Sequence, residues 1–167
     1  MAIVGVPLLD TRPERPYLGV RVRVPMKGLA DVIDRLRQEL TAWFAQRQLE
    51  AAGPAFVRYH VIDMAGEMDI EVGLPVATPS PGDERVRPGL LPAGRYASLV
   101  YTGSGLAGNK ALLQWGRANG LAWDRWADPH GDAFRARYET YLTDPRVEPR
   151  KTKWAIEVAI KVQDERA

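Results

Sequence analysis

Residues 17–24 read YLGVRVRV, and apolar and polar positions alternate along them. That period of two predicts a half-buried strand. Pro25 and Gly28 end it. From Leu29 the period changes. Leu29, Val32, Ile33, Leu36, Leu40, Trp43 and Phe44 recur at three and four, which predicts an amphipathic helix over residues 29–50. Gly53 and Pro54 close it. Two alternating strands follow at 55–62 and 69–76, turned at Ala65-Gly66. Residues 77–83 (ATPSPGD) form a turn-rich connector, too short for a flexible interdomain linker.

Strand signals resume at 84–91 and 95–102, separated by Pro92-Ala93-Gly94. A second helix is predicted over 107–119, with Gly120 suited to the position just past its end. Residues 121–132, with Trp123 and Trp126, read as a structured loop. The last strands are predicted at 133–143 and 153–162, with a polar turn at 144–151.

The element order repeats. MDIEVGLPV at 68–76 parallels WAIEVAIKV at 154–162, and AFVRY at 55–59 resembles AFRARY at 133–138 with one residue inserted. The matches and the shared order predict an internal duplication. The expected fold class is α+β: tandem βαββ units about a pseudo-twofold, one antiparallel sheet, two helices on one face and a ligand groove on the other. The whole chain, 1–167, is expected to be one domain with its core at about 16–163.

Strand parity sorts side chains between the two faces. Trp154, Ile156, Val158, Ile160 and Val162 share one face, and Ile70, Val72, Leu74 and Val76 share its counterpart. These continuous branched faces are expected under the helices. Glu71 and Glu157 then point to the opposite side. On the penultimate strand, Ala136, Tyr138 and Leu142 are assigned to the helix side. Arg137, Glu139 and Tyr141 are assigned to the side of Glu157. The helix-free face would gather carboxylates and aromatics around small residues (Gly73, Ala155, Ala159), a pattern that suits a binding groove.

Composition narrows the chemistry. The chain has 167 residues, 46% hydrophobic and 26% charged, ordinary globular values. It has no cysteine, which excludes disulfides, thiol catalysis and cysteine-ligated metals. His60 and His130 lie far apart and form no metal-binding pair, so neither metal nor cofactor is expected. A net charge of +2 is too balanced for a nucleic-acid face. The pairs Arg21/Arg23 and Arg135/Arg137 read as solvated strand faces. No apolar run approaches the ~20 residues of a membrane helix, and the N-terminus has no signal-peptide pattern. A cytoplasmic location is expected.

Several segments together carry a resemblance. YASLVYTG at 96–103, Asn119-Gly120, YETYLTDP at 138–145 and the strand at 154–162 resemble the GyrI-like small-molecule-binding domain. This is the effector-binding module of AraC-type and MerR-type multidrug-responsive regulators. The resemblance implies a ligand groove between two βαββ halves, taking bulky, aromatic, often cationic compounds against a glutamate and aromatic rings. On that pattern Glu139 is the counter-charge, with Tyr141 beside it, and Glu157 is the second choice. Glu71 would add negative potential, and Tyr101 with Trp123 or Trp126 would form walls. An acid in an apolar groove is costly to desolvate unless a cation compensates it, and a diffuse cation also gains ring contact.

The resemblance also implies two other roles. One is a hydrolase of electrophilic, cyclopropane-type compounds that uses Glu139, Tyr141 and Glu157. The other is interaction with a protein partner such as a topoisomerase. This sequence has Ser104-Gly105-Leu106 where the family often has Tyr-Asp-Gly-Leu, so one groove-mouth aromatic is missing. No helix-turn-helix is expected ahead of the first strand, which suggests a stand-alone binder.

Gly103-Ser104-Gly105-Leu106-Ala107-Gly108 matches GxGxxG between a strand and a helix. The element order lacks parallel βαβ units, so a flexible turn is the favoured reading over a dinucleotide site. No GxSxG nucleophile elbow accompanies Ser98 or Ser104. Trp43, Trp115 and Trp154 are expected in the core.

Overall fold

A computed structural model describes residues 3–164. The first alternating segment forms β3 (Arg15–Pro25), preceded by β1 (Ile3–Val4) and β2 (Leu8–Arg12). Helix α1 (Leu29–Gln46) buries Leu29, Ile33, Leu36, Leu40 and Phe44, the three-and-four spacing of its sequence. It stops four residues short of the expected Glu50. Gln48 takes up a left-handed backbone (φ 56°), and the amide of Leu49 donates to the carbonyl of Phe44. That closure terminates a helix whatever apolar residues follow.

Strands β4 (Phe56–Ile62), β5 (Glu67–Pro75), β6 (Arg87–Leu91) and β7 (Gly94–Thr102) lead to α2 (Gly105–Ala118). Gly120 ends α2 with φ 68°, while the amide of Leu121 donates to the carbonyl of Gly116. The segment expected as a loop instead contains a hairpin, β8 (Arg125–Asp128) with β9 (Gly131–Phe134). Its turn is Pro129-His130, too short an alternation to stand out in the sequence. The expected strand 133–143 is broken. After β9 the chain steps at Arg135-Ala136 and resumes as β10 (Arg137–Tyr141). Both β9 and β10 pair with β4, on either side of an irregularity between Tyr59 and Val61. A 3-10 turn (Lys151–Lys153) replaces the start of the expected last strand, which runs as β11 (Ile156–Lys161).

The sheet is antiparallel in the order β1-β7-β11-β10-β4-β5-β3-β6, with β2 also pairing β7. At its centre stand β3-β5-β4 and β7-β11-β10, arranged symmetrically about the β4/β10 seam. These are the two βαββ halves. Cross-strand partners lie on one face of a sheet. The row Val72–Val57–Glu139–Val158–Leu99 crosses the whole centre. Val57 packs in the cluster under α1, and Val158 packs in the cluster with Leu112 of α2. Both helices therefore cover the same face, as the branched parity predicts.

The opposite face has its own core of Tyr17, Phe56, Leu91, Tyr96, Ala136, Tyr138 and Ala159. Phe56 sits edge-on to Tyr17 (centroids 5.0 Å apart) and to Tyr138 (5.7 Å). Tyr96 meets Tyr138 in the same way at 5.9 Å. Gly73 makes room: a Cβ there would lie 2.6 Å from Cζ of Phe56. No helix among the described residues is long and apolar enough to cross a membrane.

Candidate ligand-binding site

The register corrects the facing of β10. Tyr138 pairs with Arg58 and Ala159 and belongs to the aromatic core of the helix-free face. Glu139 pairs with Val57 and Val158 and points to the helix side. It is therefore opposite to Glu71 and Glu157, not grouped with them. The reason is that both faces carry apolar side chains, so the apolar character of Tyr138 does not reveal which face it serves.

Glu139 is the single charged member of its row, among Val72, Val57, Val158 and Leu99. It is half-buried. The Tyr101 hydroxyl donates to its Oε2. Tyr101 and Tyr141 are both aligned with Ile156, in the row next to Glu139. Tyr59, aligned with Ile70, occupies the row on the other side. Burial raises the pKa of all three tyrosines, and the charge of Glu139 raises each further. The hydroxyls therefore stay protonated and serve as donors around one carboxylate.

Two arginines join this face. Arg137 is two residues before Glu139, donates to Oδ1 of Asn109 at 2.8 Å and lies 4.8 Å over the Phe134 ring. Burial lowers its pKa, against the opposing effect of Glu139. The expectation of a solvated Arg137 is thus corrected, because α2 and β10 enclose it. Arg37 of α1 lies 5.3 Å from both the Tyr141 and the Trp154 ring centroids.

The other predicted residues go elsewhere. Glu157 accepts both terminal nitrogens of Arg12, at 2.9 and 3.2 Å, and Arg12 also donates to the Tyr138 hydroxyl at 2.9 Å. Its charge is already compensated on the helix-free face. Trp123 packs against Gly116 near the end of α2 and helps line a cavity of about 410 Å³ with Arg117 and Arg125. Trp126 is exposed on β8, beneath the guanidinium of Arg135 at 4.9 Å. Neither indole joins Glu139: Trp123 precedes the hairpin and bridges to Val162, just past the end of β11, and Trp126 lies on β8, which pairs only with β9.

Glu71 borders a cavity of about 580 Å³ on the helix-free face, with Gly19, Arg21 and Arg87. Its Oε1 accepts from the Tyr17 hydroxyl and from Nε2 of His60 at 2.9 Å. Burial favours the neutral acid, but the hydrogen bonds from His60 and Tyr17 outweigh it and hold the pKa below the usual range. The folded protein therefore releases this proton more readily than the unfolded chain. The stabilisation is present above about pH 4.3, the ordinary glutamate value, and is lost as pH falls through it towards the folded pKa. Melting temperatures measured from pH 7 down to pH 3 are expected to fall as the pH drops below about 4.3. Glu71→Gln is expected to flatten that drop, and an unchanged profile would remove Glu71 from the account.

A family model for the GyrI-like small-molecule-binding domain matches residues 9–163. The chain belongs to the GyrI-like family. No curated protein matches its sequence. Among solved structures, the crystal structure of the EcmrR C-terminal domain aligns with a TM-score of 0.73 at 18% identity, covering 98% of this chain and 100% of that one. The cryo-EM EcmrR–DNA complex aligns at TM-score 0.70 and 18% identity. There 96% of this chain matches 58% of the EcmrR chain, so the GyrI-like chain spans little more than half of that protein's length. SAV2435 bound to tetraphenylphosphonium aligns at TM-score 0.62 and 12% identity, over 95% of this chain and 94% of that one. A hydrolase from Listeria innocua aligns at 0.61 and 16%, over 94% and 91%. At these identities the likeness is one of fold.

Within the GyrI-like fold, the GxGxxG segment has a packing role. Gly103 takes φ 81° at the strand end, and Ser104 caps α2 by accepting from the Ala107 amide at 3.2 Å. A Cβ on Gly105 would lie 3.1 Å from the Tyr101 hydroxyl, and one on Gly108 would lie 2.5 Å from Tyr101 Cδ1. The glycines let α2 lie directly over the ring that reaches Glu139.

Tyr59 escaped the sequence reading. The signal was the repeat itself. Aligning 68–76 with 154–162 equates Val72 with Val158, and their β-partners are Val57 and Glu139. The equivalent segments are then 56–59 (FVRY) and 138–141 (YETY), not 55–59 and 133–138. Tyr59 and Tyr141 are pseudo-twofold mates. Glu139 stands at the seam where the first half has valine.

Proposed function

We propose that this GyrI-like chain binds bulky aromatic or lipophilic cations in the groove between α1 and α2, on the floor made by β4 and β10. Glu139 is the counter-charge, and Tyr59, Tyr101 and Tyr141 are the walls. The supporting observation is one half-buried carboxylate in an otherwise apolar row, with three protonated tyrosines around it. A cation with its charge spread over aromatic rings suits such a floor: it pairs with the acid and lays ring edges on ring faces. The structural likeness to SAV2435 bound to tetraphenylphosphonium favours the same ligand class. A cytoplasmic sensing or sequestering role fits this chemistry.

The test is a titration of intrinsic tryptophan fluorescence, since Trp154 touches Tyr141 at 5.8 Å between centroids. Tetraphenylphosphonium is expected to bind saturably, and triphenylphosphine oxide, which is neutral, more weakly. Glu139→Gln keeps the shape and removes the charge. It is expected to weaken the cation about tenfold or more, on the scale of a charge-assisted contact, and to leave the neutral compound unchanged. Equal losses for both compounds would end the counter-charge role.

A second reading rests on the Tyr101–Glu139 hydrogen bond. A carboxylate held by a tyrosine is placed to take a proton from water, with the phenol as donor to a leaving group. An electrophilic, cyclopropane-bearing compound would then be consumed. Chromatography of such a compound after incubation separates the readings: more than one equivalent of product per protein supports hydrolysis, and unchanged ligand supports binding alone.

A further inference from the structure

The aromatic surface beside Glu139 already holds a cation. Tyr141 and Trp154 meet at an interplanar angle of 84°, forming a corner with centroids 5.8 Å apart. The guanidinium of Arg37 lies 5.3 Å from each ring. Its Nη2 donates to Oδ1 of Asp34 at 3.2 Å. Its Nη1 is buried with no hydrogen-bond partner among the described residues. A buried donor left unpaired is costly, because it has given up water for nothing. Arg37 is therefore held by the two rings and one carboxylate, with one of its donors unrewarded.

This corner is continuous with the Glu139 site. Tyr141 lies two residues from Glu139 on the same face of β10. Its hydroxyl feels both Glu139 and Arg37, with opposite effects on its pKa. The charged groups about the corner are Asp34 and Arg37 from α1, Glu139 from β10, Asp144, whose pKa the charge of Arg37 lowers, and Lys151, which pairs with Asp34 and lies 6.0 Å from the Trp154 ring alone, whereas Arg37 meets both rings.

We propose that Arg37 is a specificity-determining residue: it is the resident cation of the Tyr141–Trp154 corner, and a ligand cation must displace it to use those rings. The inference rests on the groove reading given under Proposed function. Displacement releases the unpaired Nη1 to water, and Asp34 keeps the departing guanidinium at the rim. The exchange favours cations that hold aromatic faces better than a guanidinium does, with diffuse charge and large apolar area. Small cations such as tetramethylammonium, with little apolar area to lay on the two rings, gain too little to displace the guanidinium, so Arg37 excludes them.

The experiment titrates tetraphenylphosphonium and tetramethylammonium into the wild type, Arg37→Met and Arg37→Lys, with melting curves to establish folding. Arg37→Met keeps the aliphatic packing and removes the resident cation. It is expected to bind tetraphenylphosphonium about tenfold more tightly and to acquire measurable affinity for tetramethylammonium. Arg37→Lys, a more hydrated and less well stacked cation, is expected to fall between. If Arg37→Met does not fold, Arg37→Lys carries the test, and a gain of a few-fold supports the inference. Unchanged or weaker binding of tetraphenylphosphonium by the folded variants, with the wild type binding it, overturns the role of Arg37 alone. Binding by neither wild type nor variants overturns the groove reading and this inference together. Binding that appears only when Arg37 is removed supports both.

Discussion

Phe56→Ala is expected to be the most destabilising single change in this protein, costing about 3–5 kcal/mol. Phe56 is 1% exposed and lies between the Tyr17 and Tyr138 rings at the centre of the helix-free core. Truncation removes both edge-to-face contacts and leaves a cavity that cannot collapse. The surrounding backbone is held in the sheet by pairs of β4 with β5 and β10. Tyr17 and Tyr138 cannot move in to fill the gap without cost, because their hydroxyls are tied to Glu71 and Arg12. For a chain of this length each kcal/mol is worth roughly 2–4 °C, so the melting temperature should fall by about 6–20 °C. Thermal unfolding followed by circular dichroism measures it. A fall of less than about 3 °C would mean that the aromatic cluster contributes far less than its burial implies.

The second large effect is expected at Gly108→Val, and it acts on stability and binding together. Valine brings two methyls to a place where even Cβ would lie 2.5 Å from Cδ1 of Tyr101 and 3.1 Å from its Cβ. The ring cannot swing away at its base, which is fixed to β7 between β1 and β11. Either α2 lifts from the sheet or Tyr101 leaves Glu139. Overpacking of this kind costs about 1–3 kcal/mol, partly offset by the entropy that glycine loses in a helix. Loss of the Tyr101 hydroxyl from Glu139 changes the groove as well, so affinity for tetraphenylphosphonium should fall about tenfold, equivalent to some 1.4 kcal/mol. Tyr101→Phe separates the two effects, because it keeps the ring and removes only the donor. Gly108→Val with wild-type melting and wild-type affinity would show that α2 does not press on this ring.

The two results would test different layers of one sheet. The helix-free layer is stabilised by packed rings and the part-buried Arg12–Glu157 pair, and the helix layer carries Glu139 with its three tyrosines. The seam between β4 and β10 connects them, because alternate residues of the same strands serve each face. Phe56 and Tyr138 point one way, and Val57 and Glu139 point the other.

Much of this architecture was legible in the sequence. The three-and-four spacing from Leu29 predicted α1, the Val/Ile alternation predicted β5 and β11, and the repeated element order predicted two βαββ halves. Local periodicity determines which residues can share a face, and these segments are long enough to show it. Glu139, Tyr101 and Tyr141 are expected together near the ligand from a motif resemblance, which needs no knowledge of where they meet. What only the tertiary structure decided is which face each strand presents to which layer. On β10 the sequence RYETY alternates equally well either way, since tyrosine is at home in a core or in a groove. The step at Arg135-Ala136 and pairing with both β4 and β11 set its register. That placed Glu139 under the helices with Tyr59, put Arg37 on Tyr141, and left Glu157 paired with Arg12 and Glu71 hydrogen-bonded to Tyr17 and His60 on the far side. Alternation is a local property with two equivalent solutions, and only long-range pairing selects between them.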